Sequence, residues 1–369
     1  MSTSSIPLSN ETPVQPLLAI DVGAGTQDIL LFDPAMEPEN CPKLVLPSQT
    51  QVVGRRIRAA TAAGKPVHLA GRLMGGGASS DAARDHIAAG LAITANADAA
   101  RTLHNDPAKV AAIGVEIRDD APAGAVEVRC GDVDLPMLAA VLAPFGVELP
   151  ERVAVAVQDH GYRPGAGNNE VRFDYLQGLI DGGGDLARMV YRGEAPPGMT
   201  RMAAVAAAIP GVVLMDTGAA AVLGALGDPR VAEAAAVTGA ILVNVGNMHT
   251  FATLVKGRRL FGLFEHHTGG MTTDLVGRLV AGLQRGDLDI ARFRETFDGH
   301  GAALDPAYGD EGPFPFVAVT GPNRALARPL GYHEAAPHGD MMLAGSWGLV
   351  AGAALQPARA GQGRARGEG

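Results

Sequence analysis

The chain has 369 residues, of which 47% are hydrophobic, and a formal net charge of -9 at pH 7. This length predicts two domains or one large α/β unit with a sizeable core. The acidic balance and the scattered Lys and Arg residues argue against a nucleic-acid partner. No apolar run reaches the roughly 18 to 20 residues of a membrane span, so we expect no membrane partner.

Two further features bear on location. Met1–Pro16 is polar and lacks the basic start and apolar centre of a signal peptide. The chain has 2 cysteines, Cys41 and Cys130, too few for a disulfide framework or for an iron–sulfur cluster held by this chain alone. We therefore expect a cytoplasmic protein with disordered tails at residues 1–16 and 356–369.

In chain order, the first half alternates short apolar runs with glycine or polar turns. This pattern predicts strands at Leu17–Asp21, Gln27–Phe32, Lys43–Leu46, Val67–Ala70 and Val153–Val157. A helix is expected from Gln49 to Ala63, where Gly64 follows. Residues 93–149 are interpreted as an α/β insertion.

A second pattern of the same kind begins at Ile241. Strands are expected at Ile241–Val245, Phe251–Val255, Arg259–Glu265 and Phe316–Thr320, and a final helix at Asp340–Leu355. Both halves therefore have the same predicted order of elements, namely strand, glycine turn, strand, turn, strand, helix and strand. This repetition predicts a duplicated fold, with lobe I at residues 17–212 and lobe II at residues 213–355.

The loop Asp21–Thr26 is the first candidate site. A carboxylate at a strand end can hold Mg²⁺ through water, and small residues let backbone N–H groups approach a phosphate. The dinucleotide fingerprint is excluded, because Asp28 stands at the third glycine position and a β-like segment follows. The P-loop is excluded because the Gly-Lys-Ser/Thr ending is absent. The sequence thus predicts a β-hairpin phosphate loop.

With these motifs the chain resembles the actin, sugar-kinase and Hsp70 ATPase superfamily, in particular its hydantoinase and acetate-kinase-like branches. Asp21–Thr26 matches the first phosphate motif, Asn244–Thr250 the second, and Thr320–Arg324 the adenosine motif. The resemblance implies an α/β fold of two duplicated ribonuclease-H-like lobes that clasp ATP and Mg²⁺. Gly218–Leu226 and Gly345–Ala353 would be its two connecting helices.

More narrowly, the whole chain resembles a family labelled "putative pyruvate formate-lyase activating enzyme". Activases of that name hold a radical-generating cluster on three cysteines. Because this chain has 2 cysteines, we expect it not to be a radical S-adenosylmethionine activase.

Two positions depart from the superfamily pattern. Asn244 replaces the Asp that normally opens the second phosphate motif, which removes a charge from the metal shell. Pro322 stands where the adenosine motif has its second glycine, and proline has no N–H to donate. Phosphate binding is therefore a firmer expectation than turnover.

The resemblance places Asp21 and Asn244 at the edge of the cleft. In each hairpin the next strand runs away from that edge and the third strand returns to it, and these two expectations together assign site residues. Asp21 is the expected metal ligand. The expected catalytic residues are Asp21, His160, Asp216 and His266, of which Asp216, His160 or His266 would act as the base. The expected cofactor-binding residues are Gly23, Gly25, Thr26, Asn244, Gly246, Asn247, His249, Thr250, Gly321 and Asn323. His266 and His267 are adjacent in a strand, so they are expected to point to opposite faces and not to share one metal.

Three functions remain open at this point. The leading hypothesis is an ATP-dependent phosphotransferase or ATPase that acts on a small molecule. The second is a metal-assisted hydrolase of hydantoinase type, and the third is a sensor or assembly protein that binds a nucleotide without turnover. The substrate is left unassigned, and a monomer and a homodimer both remain open.

Overall fold

The structure is a computed structural model that describes residues 15–167, 170–288 and 301–355. Apart from residues 15 and 16, the tails expected at residues 1–16 and 356–369 lie outside the described residues.

Strands and helices are numbered here in chain order. The strands are β1 (Leu17–Val22), β2 (Thr26–Phe32), β3 (Lys43–Pro47), β4 (Val67–Gly71), β5 (Ile93–Ala95), β6 (Val115–Ile117), β7 (Val126–Cys130), β8 (Arg152–Val157), β9 (Tyr191–Arg192), β10 (Val213–Met215), β11 (Ala240–Val245), β12 (His249–Lys256), β13 (Arg259–His267), β14 (Ala302–Leu304), β15 (Phe316–Thr320) and β16 (His333–Glu334). The α-helices are α1 (Gln49–Ala62), α2 (Gly77–Ala88), α3 (Ala97–Ala100), α4 (Pro107–Ala112), α5 (Leu135–Leu142), α6 (Glu170–Asp181), α7 (Thr200–Ala208), α8 (Thr217–Ala225), α9 (Pro229–Val237), α10 (Thr273–Arg285), α11 (Tyr308–Glu311) and α12 (Ala344–Ala354).

The first sheet has the strand order β3-β2-β1-β8-β10-β9. Strand β1 is antiparallel to β2 and parallel to β8. A tight turn joins β1 to β2, in which the N–H of Gly23 donates to the carbonyl of Thr26 at 2.8 Å. The hairpin predicted at this loop is thereby confirmed.

The second sheet has the strand order β14-β13-β12-β11-β15-β16. Strand β11 is antiparallel to β12 and parallel to β15. Its first turn repeats the bond of the other hairpin, since the N–H of Gly246 donates to the carbonyl of His249 at 2.9 Å. The four strands β13-β12-β11-β15 therefore have the order and directions of β3-β2-β1-β8.

A third sheet, β6-β5-β4-β7, is parallel throughout. It carries its own apolar core beneath α1 and α2, which includes Val53, Val67 and Ala82. The α/β insertion is expected at residues 93–149. The third sheet, however, includes β4, which already begins at Val67. The loop after β4 runs into α2 and reaches the same region as the two hairpin turns.

Helices α8 and α12 lie between the first and second sheets. One apolar core joins Ala19 of β1, Leu242 of β11, Leu223 of α8 and Leu349 of α12. The two helices cross at van der Waals contact, because a Cβ on Gly224 would lie 1.7 Å from the carbonyl oxygen of Ala344. Helix α12 begins later than the Asp340 expected from the sequence.

Candidate functional site

A cleft of about 1050 Å³ opens where the three sheets meet. Its walls are the two hairpin turns, the segments after β4, β8 and β15, and the first turns of α8 and α12. The expected site residues that line it are Asp21, Gly23, Thr26, His160, Asn244, Gly246, Asn247, His249 and Gly321. The other expected residues, namely Gly25, Asp216, Thr250, His266 and Asn323, lie outside its lining.

The two hairpin turns face each other across the cleft. A Cβ on Gly25 would lie 2.9 Å from Nδ2 of Asn247, so the first turn approaches the second within contact distance. Only a residue without a side chain fits this approach without displacing Asn247. The backbone amides of both turns thus border one space of a size that a phosphate chain can enter.

Asp21 and Asp28 lie directly opposite each other on β1 and β2. Directly paired residues of an antiparallel ladder project from the same face of the sheet, and both side chains line the cleft. Burial raises the pKa of Asp21 well above its usual range, and the negative charges of Asp28 and Asp216 add to the rise. Burial also raises the pKa of Asp28 to about 6, partly offset by a hydrogen bond from the Thr26 side chain.

On the opposite wall, Asn244 is held against the turn that follows β15. Gly321 has a φ of +98°, and a Cβ there would lie 2.6 Å from Oδ1 of Asn244 and 2.5 Å from the carbonyl of Val245. Asn323 donates from its backbone N–H to Val245 at 3.0 Å and from Nδ2 to the carbonyl of Gly246 at 2.9 Å. Asn323 therefore braces the second hairpin turn from outside the cleft.

Three histidines meet at the end of β13 and the loop after β8. The ring of His249 lies 5.4 Å from that of His160 and stacks on that of His267 at 4.9 Å. His267 lines the cleft, and His266 does not. His266 is turned to the other face, where its Nδ1 lies 2.6 Å from the carbonyl of His267 and burial lowers its pKa. Of the two adjacent histidines, His267 is therefore the one that lines the cleft.

Asp216 is also placed differently from the expectation. It is 2% exposed and caps α8 by accepting from the N–H of Gly218 at 2.9 Å. Arg172 of α6 donates to both of its carboxylate oxygens, at 2.6 and 3.0 Å. Both oxygens of Asp216 are therefore engaged within the protein, and Thr217 and Gly218 are the residues of this segment that line the cleft.

Arg172 also joins the first sheet to the second. Its Nε donates to Oε2 of Glu265 at 2.7 Å, and the other carboxylate oxygen of Glu265 accepts from Gln158 at 2.7 Å. Oε1 of Gln158 in turn lies 2.7 Å from Nδ1 of His249. This series of contacts positions His249 from residues of two sheets and α6.

Sequence reasoning missed the roles of Arg172 and of Arg201. Arg201 at the start of α7 donates to both oxygens of Asp132 at 2.8 and 2.7 Å and to the carbonyl of Gln158 at 2.8 Å. Asp132 also accepts from the N–H of Gly75, which fixes the glycine loop after β4. For Arg172 the available signal was an arginine between two apolar residues, Val171 and Phe173, in a predicted helix.

Within the described segments, no group of three or more His, Cys, Asp or Glu side chains is arranged to hold a metal ion. None of the described helices is long and apolar enough to cross a membrane.

These features define a mixed α/β protein whose polar cleft lies between matched hairpin turns of two sheets. The chain belongs to the family described as "Putative pyruvate format-lyase activating enzyme (DUF1786)", whose model matches residues 74–326. A comparison with curated proteins gives no match.

Two solved structures align over most of the chain. One is the ethanolamine utilization protein EutJ from Carboxydothermus hydrogenoformans, with 14% identity and a TM-score of 0.32, over 93% of this chain and 91% of that one. The other is a ROK family transcriptional regulator, a homolog of the E. coli MLC protein, with 10% identity and a TM-score of 0.29, over 93% of this chain and 79% of that one.

Proposed function

We propose that the cleft binds a nucleotide phosphate together with Mg²⁺, between two duplicated ribonuclease-H-like lobes of the actin-like ATPase type. The observation that carries the proposal is the equivalence of the two hairpins. Asp21 pairs with Asp28, and Asn244 pairs with Phe251, so both pairs are offset by 223 residues (244 − 21 and 251 − 28). Two copies of one turn, facing each other, suit a ligand with several phosphates.

In this proposal the backbone supplies the phosphate contacts. The turn Gly23–Thr26 presents amide groups on small residues, which suits close approach of phosphate oxygens, and the turn Gly246–His249 begins with a glycine. Asp21 would hold the Mg²⁺ ion that, when bound, neutralises phosphate charge and orients the phosphoryl group. Thr320, Gly321 and Pro322 border the cleft where the base or ribose would lie.

The proposed reaction is phosphoryl transfer to a small molecule or to water. Such a reaction depends chiefly on positioning and charge neutralisation, with one group to accept or orient a proton. Besides His104, the cleft is lined by a cluster of three imidazole rings, those of His160, His249 and His267, and imidazole is the side chain that most often serves as a general acid or base. They replace Asp216 and His266 as the acid/base candidates.

A second candidate is a nucleotide-binding sensor without turnover. Asn244 occupies the position equivalent to Asp21 and carries no charge, and its Oδ1 lies against the Gly321 turn. Pro322 has no N–H to donate to a ligand. The hydantoinase-type hydrolase stays a prediction from the sequence.

The activity in the family's description forms no part of the proposal. The chain has 2 cysteines, and both are buried. Cys130 has its thiol pKa raised to about 12 by burial, which disfavours the thiolate that ligates iron.

A thermal-shift experiment tests the proposal. Mg·ATP should raise the melting temperature of the full chain, because a ligand that binds only the native state adds about 2.7 kcal/mol at 100 times its Kd. ADP, ATP with EDTA and Mg²⁺ alone are the comparisons. An unchanged melting temperature at millimolar Mg·ATP would contradict both the phosphotransferase and the sensor.

Phosphate release then separates the two candidates. Release that is lost in Asp21→Asn, but kept in the exposed variant Asp274→Asn, favours the phosphotransferase or ATPase. A melting shift with Mg·ATP but no release by the wild-type chain, with or without candidate hydroxyl acceptors, favours the sensor.

A further inference from the structure

Asp28 has a buried oxygen that the protein itself leaves without a partner. The residue is 9% exposed and lines the cleft, and among the described residues its Oδ1 has no hydrogen-bond donor. Oδ1 of Asp21, the residue directly opposite, is likewise buried without a donor. Burying an unsatisfied carboxylate oxygen is costly, so two on one face of a hairpin require an explanation.

The protein supplies little positive charge to this pair. Neither carboxylate takes part in an ion pair in the described segments. Arg201 is the positive group that acts on Asp21, and its guanidinium already donates to both oxygens of Asp132. Asp340 adds negative charge near Asp28, and Asp216 does so near Asp21. The carboxyl groups of Asp21 and Asp28 therefore have little positive charge from the protein to balance them, and both line the cleft.

We propose that Asp21 and Asp28 together form a binding site for a divalent cation, with Asp28 as the second carboxylate ligand. Two carboxylates with water or phosphate oxygens completing the shell are the usual donors for Mg²⁺ or Mn²⁺, whereas nitrogen or sulfur donors would favour zinc. This inference rests on the proposed function only for the phosphate that would complete the shell. Both carboxylates belong to this chain, so the site can be tested without a nucleotide.

Binding of Mn²⁺ to the full chain without nucleotide tests the site. Equilibrium dialysis and the loss of the free Mn²⁺ EPR signal should show stoichiometric binding that Mg²⁺ displaces. Asp21→Asn and Asp28→Asn should each weaken Mn²⁺ binding by about tenfold or more, since even outer-shell changes cost a metal site 10- to 100-fold. Asp274→Asn removes the same charge at a side chain that is 78% exposed and should bind as the wild type does.

Metal-free stability serves as the folding check. Asp28→Asn removes an uncompensated buried charge, so its melting temperature in EDTA should equal or exceed that of the wild type. Added Mn²⁺ should then stabilise the wild type more than this variant. Wild-type affinity for Mn²⁺ in Asp28→Asn, or no Mn²⁺ binding by the wild type, would overturn the assignment. If the two carboxylates share a proton in place of a cation, the wild type will not bind Mn²⁺.

Failure of this inference and failure of the proposed function give different results. Mn²⁺ binding that depends on Asp28, together with no response to ATP, would keep the cation site and refute the nucleotide. An ATP-induced melting shift with Mn²⁺ binding that is indifferent to Asp28 would keep the nucleotide and refute the cation site.

Discussion

Oε1 of Gln158 and Nδ1 of His249 lie 2.7 Å apart, although one residue follows β8 and the other begins β12. The amide of Gln158 has a fixed orientation, because its Nε2 donates to Glu265 at 2.7 Å and a carboxylate only accepts. The amide oxygen therefore faces His249, whose Nδ1 must carry the hydrogen. In the neutral ring Nε2 then carries no hydrogen, so this nitrogen is the one that can accept a proton.

Replacing Gln158 by Leu should remove the hydrogen bond that fixes this tautomer of His249. We expect the Nδ1–H form of His249 in the wild type, and a mixture of tautomers or the Nε2–H form in Gln158→Leu, as read from imidazole ¹⁵N shifts. The variant should also lose about 1–3 kcal/mol of stability, because Glu265 loses a buried donor. Gln177→Leu is the matched control, since Gln177 bonds to Asp181 on the exposed face of α6. An Nε2–H ring in the wild type would refute the assignment.

Two arginines near α6 allow the buried and the exposed ion pair to be compared. Arg172 is 2% exposed and serves both Asp216 and Glu265, whereas Arg163 is 52% exposed beside Glu170 and Asp174. Arg172→Met should lower the free energy of unfolding by about 3–5 kcal/mol, because it leaves two buried carboxylates uncompensated. Arg163→Met should cost about 0–1 kcal/mol. Denaturant unfolding measures both, and equal costs would contradict the structural role given to Arg172.

The first turn of α12 has no room for a side chain at Gly345. A Cβ there would lie 1.9 Å from Oδ2 of Asp21, so Gly345→Ala must displace the helix or the carboxylate. We expect a loss of about 1–3 kcal/mol and of the melting shift with Mg·ATP. Gly178→Ala in α6 meets no atom within 4 Å and should stabilise by about 0.5–1 kcal/mol. If Gly345→Ala responded to Mg·ATP as the wild type does, the cleft would not be the nucleotide site.

Local signals were enough to predict the hairpins, whereas the cleft between them was expected only from the resemblance to a two-lobed family. A glycine turn between two apolar runs is a short-range pattern, so the turn after Asp21 could be recognised before the fold was known. Strand alternation indicated that His266 and His267 face opposite ways, but only the pairing of His267 with His249 shows which one meets the cleft.

Long-range pairing accounts for the rest of what the sequence did not show. The partners of Arg172 lie 44 and 93 residues away, at Asp216 and Glu265, and no spacing rule connects them. Asp28 was interpreted only as a mismatch to a glycine motif. Its position beside Asp21 follows from the strand register, which sets the two residues opposite each other.

His266 offers a test at the pH where imidazole titrates. It is 7% exposed, and burial, together with the neighbouring His267, holds its pKa below the usual value near 6.5, against the opposing hydrogen bond to the His267 carbonyl. The unfolded chain therefore binds a proton at this residue more readily than the folded chain does. It follows that His266 favours folding above pH 6.5 and that this contribution is lost as the pH falls below that value. The free energy of unfolding of the wild type should thus fall more between pH 7.5 and pH 5.5 than that of His266→Asn, as measured by denaturant titration. Any pH-independent cost of the substitution cancels in this difference, so equal falls in the two proteins would show that His266 is not held in its neutral form.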